Sequence, residues 1–422
     1  MYNGVDNMGA SISQINRNEQ GPIQAGHNRY LWIVSTLVIG AVLAHTLIRQ
    51  GLPVLYPFIQ NEFGLSRAEV GLITSALSIG YMVSVLVAGW LTDTLGVKRM
   101  ITVSLLALTA MTLAFPLAYS YTIVLALAAF NGIVTSPIHP ATTRAVIDWF
   151  PSRIRALAMS IKQMGWPIAG TLMAAVLPAL AVAIGWRMAV AAAGPLILAV
   201  AIALILLYRD APRNVQAVNK IDLASLKTML HKRSLVVTII WDSAFMGFQF
   251  TVLSYFMLFV IEELKLSLIM AGGLLAIAQF SSIIARVLWG AISDFLFGGR
   301  RIVVLAIIGF ITALWMLGAS FVSMGVPSII VYLIAIVIGI STFSFHGVLY
   351  TLIGEQSEAG EVGITIGVAG TVDHVSQTIM PPLFGYVVDA SSSYSLAWKA
   401  AAALALVCTL ALLVLAREPK HR

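Results

Sequence analysis

Five charged residues lie inside long apolar segments of this chain. A charge in such a segment costs several kcal/mol unless it faces water, an opposite charge or a ligand. Three of these residues are basic and two are acidic: Arg49, Lys162, Arg286, Asp242 and Asp373. If all five face one interior cavity, that cavity is positive and favours anions. An acidic side chain beside a mobile basic one can also release or take up a proton.

The elements that must position these residues are transmembrane helices. The chain has 422 residues, of which 59% are hydrophobic and 10% charged, whereas a soluble domain has about 25% charged residues. Each crossing needs about 20 mostly apolar residues, so we expect an all-α membrane protein. The twelve predicted spans are 30–58, 68–91, 100–118, 121–143, 156–184, 188–208, 234–261, 267–292, 302–324, 327–352, 363–388 and 395–416.

The distribution of basic residues predicts the orientation in the membrane. Most of the 25 Lys and Arg residues fall in the tails and in alternate connections, which the positive-inside rule assigns to the cytoplasm. Both termini are therefore expected to be cytoplasmic. The net charge of +7 is interpreted as a topology signal, not as a sign of nucleic-acid binding. Residues 1–29 lack an apolar core, so we expect no cleavable signal peptide.

One long polar segment separates six predicted spans from six. The single cysteine, Cys408, lies in the last span and can form no internal disulfide. The predicted organisation is a cytoplasmic tail, a six-helix bundle, a cytoplasmic linker, a second six-helix bundle and a short tail, over residues 1–29, 30–208, 209–233, 234–416 and 417–422.

A charged turn occurs once in each half of the chain. The two copies read Gly89-Trp-Leu-Thr-Asp93-Thr-Leu-Gly96-Val-Lys98-Arg99 and Gly290-Ala-Ile-Ser-Asp294-Phe-Leu-Phe-Gly298-Gly-Arg300-Arg301. The first copy resembles the loop G-x-L-x-D-x-x-G-x-[RK]-[RK] of the major facilitator superfamily, and the second has one extra residue before its basic pair. Two similar halves around a central path are the architecture of secondary transporters.

The resemblance implies two six-helix bundles around a midplane cavity that opens alternately to each side of the membrane. It also implies that the duplicated turns act as a gate that holds the inner side shut. The alternative is that their basic residues only fix the topology. The predicted gating residues are Gly89, Asp93, Arg99, Gly290, Asp294 and Arg301.

Arg49 is the first candidate for binding a substrate. His45 lies one turn before it and Tyr56 two turns after it, which gives one polar stripe on the helix. The stretch Arg49-Gln-Gly-Leu-Pro-Val-Leu-Tyr-Pro57 resembles the first helix of organic-anion members of the superfamily. The resemblance implies that Arg49 binds the anionic group of the substrate. The alternative is a structural ion pair with Asp373 or Asp242.

Arg286 is the second candidate for binding an anion. It shares a helical face with Gln279 and Ser282 and stands four residues before Gly290. This spacing resembles the eighth-helix Arg of monocarboxylate transporters, whose Asp one turn earlier is Ser282 here. The departure leaves Arg286 freer for a substrate. The alternative is a structural link to Asp294.

Three further residues complete the predicted substrate site. Lys162 shares a helical face with Trp166, although its long side chain could instead extend to the headgroups. In the tenth span His346 and Tyr350 recur one turn apart, so both would face the same side.

Asp242 and Asp373 are the predicted proton-coupling residues, because they are the acidic residues that lie well inside spans. The alternative for each is a permanent ion pair with an Arg of the opposite half. Many proton-coupled members of the superfamily carry an Arg four residues before a Gly in the fourth span. That position is Ala128 here, which counts against proton symport.

Together these residues predict a secondary active transporter that moves a small organic anion, a monocarboxylate or a sugar acid, across the bacterial inner membrane by alternating access with proton symport. The alternative is proton-driven efflux of a hydrophobic or cationic compound. A sensor would need an output domain, and an enzyme would need a nucleophile–base pair or a metal cluster. We expect no enzyme activity, cofactor, metal or nucleic-acid partner, and a monomer in the lipid bilayer.

Overall fold

In a computed structural model of the protein, residues 25–211, 229, 231–358 and 362–418 are described. These ranges are almost entirely helical and contain no β-strand. Before the linker the helices are α1 (Ala25–Val54), α2 (Tyr56–Phe63), α3 (Arg67–Leu95), α4 (Val97–Leu113), α5 (Tyr121–Thr135), α6 (Ile138–Trp149), α7 (Ser152–Gln163), α8 (Gly165–Ile184), α9 (Trp186–Ala191) and α10 (Ala193–Leu207).

Among the described residues, seven helices follow the linker, and a π-helical turn, Ile292–Leu296, directly extends the second of them. They are α11 (Arg233–Glu262), α12 (Leu268–Ala291), α13 (Arg301–Ala319), α14 (Ser328–Ile340), α15 (His346–Gln356), α16 (Val362–Ser391) and α17 (Tyr394–Leu415).

The fold class predicted from composition is confirmed. Within the described ranges, ten helical stretches are long and apolar enough to cross a membrane, and each overlaps one predicted span. Helix α16 covers the predicted span 363–388. Large apolar side chains such as Val83, Leu314 and Phe280 are exposed on the outer helix faces, as expected where lipid replaces water.

The predicted span 327–352 is not one helix but two, α14 and α15. The chain leaves the helix between them and exposes backbone carbonyl groups inside the bundle, where each needs a donor. Trp289 Nε1 donates to Ile340 O at 2.6 Å, and Arg286 Nη2 donates to Phe343 O at 2.9 Å. The broken helix is therefore stabilised by side chains of the neighbouring α12.

The helices before and after the linker meet mainly along two pairs, α3 with α16 and α8 with α12. Gly272 permits the close approach of the second pair, because a Cβ atom there would lie 2.6 Å from Ala174 O. We call the end of the bundle where α10 ends and α11 begins the linker end, and the opposite end, where α3 and α12 begin, the far end. The seam is the boundary between the two sets of helices.

The predicted tail over 1–29 and the predicted linker over 209–233 lie largely outside the described residues, which omit 1–24, 212–228 and 230. The division into two bundles joined by that linker stays a prediction. The contacts of α3 with α16 and of α8 with α12 are those that two packed bundles would make.

Candidate functional site

Arg49 lies on α1 close to the seam, and its side chain is 6% exposed. Its Nη2 donates to Gln377 Oε1 at 2.7 Å and lies 3.3 Å from His374 Nε2. His374 Nδ1 is 2.6 Å from Gly370 O, so Nδ1 carries the proton and Nε2 is the acceptor. Both partners of Arg49 are therefore neutral groups of α16.

Aromatic rings surround the rest of the Arg49 guanidinium. Its Cζ lies 5.0 Å from the ring centre of Tyr81, 5.1 Å from Phe250 and 5.6 Å from Trp166. Ring faces within about 6 Å stabilise a cation. The Nε atom of Arg49 is buried without a hydrogen-bond partner. The guanidinium is thus surrounded by aromatic rings, and its Nε–H donor has no acceptor.

Arg286 of α12 is partly buried and has no acidic partner among the described residues. Its Nη2 donates to Phe343 O, and its Nε atom is buried without a hydrogen-bond partner. In the described part of the chain, neither Arg286 nor Arg49 belongs to an ion pair. The structure does not contain the permanent pairs with Asp242, Asp373 or Asp294 that the sequence left open.

Lys162 is 2% exposed, at the end of α7. Its Nζ donates to Thr143 Oγ1 at 2.6 Å, so its side chain stays inside the first set of helices and does not extend to the headgroups. His45 is buried on the same side of the seam, with its ring centre 6.2 Å from that of Trp166, and its Nδ1 has no partner.

Gln279 forms a hydrogen bond that crosses the seam, and Tyr56 belongs to a chain of hydrogen bonds that crosses it. The hydroxyl of Tyr56 is 2.7 Å from Thr74 Oγ1, which is 2.8 Å from Ser254 Oγ. Gln279 Nε2 donates to Gln50 Oε1 at 2.7 Å. Both side chains are therefore occupied in closing the two sets of helices against each other in this conformation.

His346 and Tyr350 lie on α15, directly after the break in the tenth span. Their ring centres are 6.1 Å apart, and His346 Nδ1 is buried without a partner. Tyr350 lies within electrostatic range of Asp242, Asp373 and Arg286. Tyr350 therefore lies near members of both predicted sets, the substrate-binding residues and the proton-coupling residues.

The far end is held shut by a group of residues that we call the far-end clamp: Arg67, Tyr255, Glu262, Asp389 and Tyr394. Arg67 forms ion pairs with Glu262 at 2.9 Å and Asp389 at 3.4 Å. Tyr255 Oη donates to Arg67 O at 2.7 Å, and Tyr394 Oη donates to Glu262 Oε2 at 2.8 Å. The clamp joins α3 to three helices of the other half.

Sequence reasoning did not find the far-end clamp. Arg67, Glu262 and Asp389 each stand at the edge of an apolar segment, where charged residues are common, and no motif links them. The sequence signal in this region is the pair Ser66 and Glu69, which together form a capping box at the start of α3. That signal fixes where the helix begins but not what its first residue contacts.

The predicted gating residues lie at the linker end. Gly89 lies within α3, Arg99 is exposed near the start of α4, and the side chain of Asp93 lies outside the described residues. In the second copy, Gly290 is in the last turn of α12. Arg301 pairs with Asp294 and with Glu355 at 3.5 Å, both in its own half.

This architecture, with buried charges at the seam between two sets of helices, defines a polytopic membrane transporter. The profile of the Major Facilitator Superfamily matches residues 38–376 and, in a second match, 283–422. The chain belongs to this family. It is a multi-pass membrane transporter and not an enzyme.

Two similar sequences span nearly the whole chain. The hexuronate transporter of Bacillus subtilis (strain 168) is 22% identical over 401 residues, which cover 90% of this chain and 93% of that protein. The probable galactarate/D-glucarate transporter GarP of Escherichia coli (strain K12) is 23% identical over 424 residues, with 91% and 94% covered. The chain also resembles the crystal structure of a D-xylose-proton symporter, with 16% identity, a TM-score of 0.77 and 93% and 99% covered; at this identity the likeness shows the fold alone.

Proposed function

We propose that the protein is a secondary active transporter of a small organic anion, and that Arg49 binds the anionic group. One observation carries this proposal: Arg49 is buried, keeps a free Nε donor and has only neutral hydrogen-bond partners. A guanidinium without a carboxylate partner can form a bidentate pair with a carboxylate ligand. Neutral partners are displaced by an anion at lower cost than a carboxylate partner would be.

Arg286 is proposed as the second anion-binding group, from the opposite half. It too has a free Nε donor. A single ligand held by both arginines would draw the two halves together, so binding would favour an occluded state. Lys162, His45, Tyr56, Gln279, His346 and Tyr350 are proposed to line the path or to position the ligand.

We infer that the substrate is a sugar acid. The similar proteins of Bacillus subtilis and Escherichia coli are named for hexuronate and for galactarate/D-glucarate, which are hydroxylated carboxylates. Amide side chains at the seam, including Gln50 and Gln279, suit the hydroxyl groups of such a substrate. Proton symport through Asp242 and Asp373 is the proposed energy source.

We propose that the transporter sits in the bacterial inner membrane with the linker end in the cytoplasm. The duplicated turns, with Gly89, Asp93 and Arg99 in one copy and Gly290, Asp294 and Arg301 in the other, would then close the cytoplasmic side. The ion pairs of Arg301 do not cross the seam. This is what we expect of a conformation in which the far end is closed and the contacts between the halves at the linker end are broken.

The test is a thermal-shift measurement on the purified protein with D-glucuronate, D-glucarate and pyruvate, and with uncharged D-glucose as the negative control. We expect at least one acid to raise the Tm, and D-glucose to leave it unchanged. Arg49→Gln and Arg286→Gln should each weaken binding about 10- to 100-fold, because a hydrogen bond to a charged group contributes about 1.5–3 kcal/mol. Unchanged binding in both variants would refute the proposal.

Efflux of a hydrophobic cation is the second candidate function, and one observation favours it. Asp242 and Asp373 are buried acids without an ion-pair partner in the described part of the chain, so they could bind a cation directly. The same assay with tetraphenylphosphonium separates the two functions. A Tm increase with this cation that disappears in Asp242→Asn, together with no response to any acid, would favour efflux.

A further inference from the structure

Asp242 of α11 and Asp373 of α16 are 0% and 1% exposed. Both carboxyl oxygens of Asp242 and Oδ1 of Asp373 are buried without a hydrogen-bond partner. Ion pairs elsewhere in the described residues use other carboxylates. An ionised carboxylate in such a position loses its hydration and receives nothing in return. Two of them together require an explanation.

Contacts between their chain neighbours place α11 beside α16 at the level of the two acids. Ser243 Oγ donates to Val372 O at 2.9 Å and lies 2.6 Å from Ser376 Oγ. The residue after Asp242 therefore touches the residue before Asp373. The two acids lie close enough for the charge of Asp242 to act on Asp373.

Among the described residues, a tyrosine hydroxyl lies near both carboxyls, and neither carboxyl forms an ion pair with a cation. Tyr350 of α15 lies within electrostatic range of both carboxyls, and also of Arg286 on α12 and Tyr81 on α3. His374 follows Asp373 in the chain, but its ring stacks on Tyr81 at 4.5 Å between ring centres and its Nε2 faces Arg49. His346 of α15 lies beside Tyr350.

Two neighbouring carboxylates in a dry interior cannot both be ionised without a cation between them. A single proton leaves one negative charge instead of two. The protonated acid then donates a hydrogen bond to the ionised one, as in the dyads of aspartic proteases. We propose that Asp242 and Asp373 form a carboxyl pair that holds a single proton between them, and that this pair, not either residue alone, is the proton site of the transporter.

Helix α16 connects the carboxyl pair to Arg49. It carries Gln377 and His374, the neutral partners of Arg49, and it carries Asp373 one turn before Gln377, on the same helical face. An anion that displaces Gln377 and His374 would release α16 on that side and change its packing on α11. The spacing of the two carboxyls, and hence their hold on the proton, would change with it.

The role of the pair in transport rests on the proposed function, but the shared proton does not, so it can be tested without a substrate. In infrared spectra at about pH 7, we expect one protonated-carboxyl C=O band that disappears in Asp242→Asn and also in Asp373→Asn. In each variant the Asn amide donates the hydrogen bond that the protonated acid donated in the wild type. The remaining Asp is therefore ionised and gives no protonated-carboxyl band. Glu263→Gln, an acid-to-amide change just after α11, is the matched control and keeps the band.

Loss of the band in only one of the two variants would assign the proton to a single residue and overturn the pair, and so would its persistence in both. If an Asn variant does not fold, the wild-type protein with carboxyl-¹³C aspartate gives the answer. A shifted band with the area of one carboxyl per chain supports the pair, whereas an area of none or two refutes it. None of these results depends on whether Arg49 binds an anion.

Discussion

Arg67 and Asp389 are joined twice across the seam: Asp389 Oδ1 accepts from the backbone N–H of Arg67 at 3.0 Å and from its Nη1 at 3.4 Å. The other oxygen, Oδ2, accepts from the N–H of Ala68 at 2.8 Å. A carboxylate of the second half thus caps the N-terminus of α3, where negative charge is favoured. In this conformation the far end is closed by contacts that cross the seam.

We expect Asp389→Asn to favour opening of the far end. The substitution weakens charge-assisted hydrogen bonds to Arg67 and Ala68, and a loss of about 1.4 kcal/mol shifts the equilibrium about 10-fold. Distances between spin labels at the far ends of α3 and α16 would lengthen in a larger fraction of molecules. Glu62→Gln is the control, because Glu62 pairs with Arg187 inside the first half; a distribution equal to that of the control would contradict the prediction.

Gly71→Ala is expected to destabilise the closed seam. A Cβ atom at this position would lie 2.5 Å from Pro382 N and 2.5 Å from Tyr255 Oη, so α3 and α16 must move apart. Overpacking of this kind costs about 1–3 kcal/mol, and the Tm should fall by several degrees. Gly273→Ala adds the same methyl group where no atom lies within 4 Å, and its Tm should stay at or above that of the wild type.

Gln377→Glu should abolish tight anion binding, because Arg49 then acquires a permanent carboxylate partner that a ligand must displace. We expect affinity for the best acid of the thermal-shift screen to fall at least about 10-fold. Gln377→Met removes the acceptor without adding charge and should bind that acid at least as well as the wild type. Titration calorimetry on both variants measures the difference, and weakening by Gln377→Met alone would show that Gln377 contacts the ligand directly.

Glu62 gives the protein a pH-dependent contribution to its stability. The hydrogen bond from Arg187 holds the pKa of Glu62 below its usual value. Since the folded pKa is lowered, the stabilisation is present above the unfolded value and is lost as the pH falls through the folded one. The pair is partly exposed, so the effect is about 0–1 kcal/mol. The Tm difference between wild type and Glu62→Gln should be largest near pH 7 and shrink as the pH falls below the unfolded pKa of about 4.3; a difference that does not change with pH would exclude this cause.

Much of the fold was predictable because each apolar segment is long enough to fix its own secondary structure in a bilayer. In an unbroken spanning helix the backbone groups pair within the segment, so span positions follow from local composition. The break between α14 and α15 was not predictable, since the donors that satisfy it, Arg286 and Trp289, are on another helix. The buried positions of Arg49 and Asp242 followed from their apolar surroundings, but their partners did not.

The sequence by itself determined the class of protein, the helices and which charged residues must be buried, because these depend on the local balance of apolar and polar groups. The tertiary structure decided that Arg49 meets Gln377 and His374 and not a carboxylate, that Asp242 approaches Asp373, and that Arg67 closes the far end on Asp389. The physical reason is that each of these contacts joins residues far apart in the chain, and their distances are set by how α3, α11 and α16 pack.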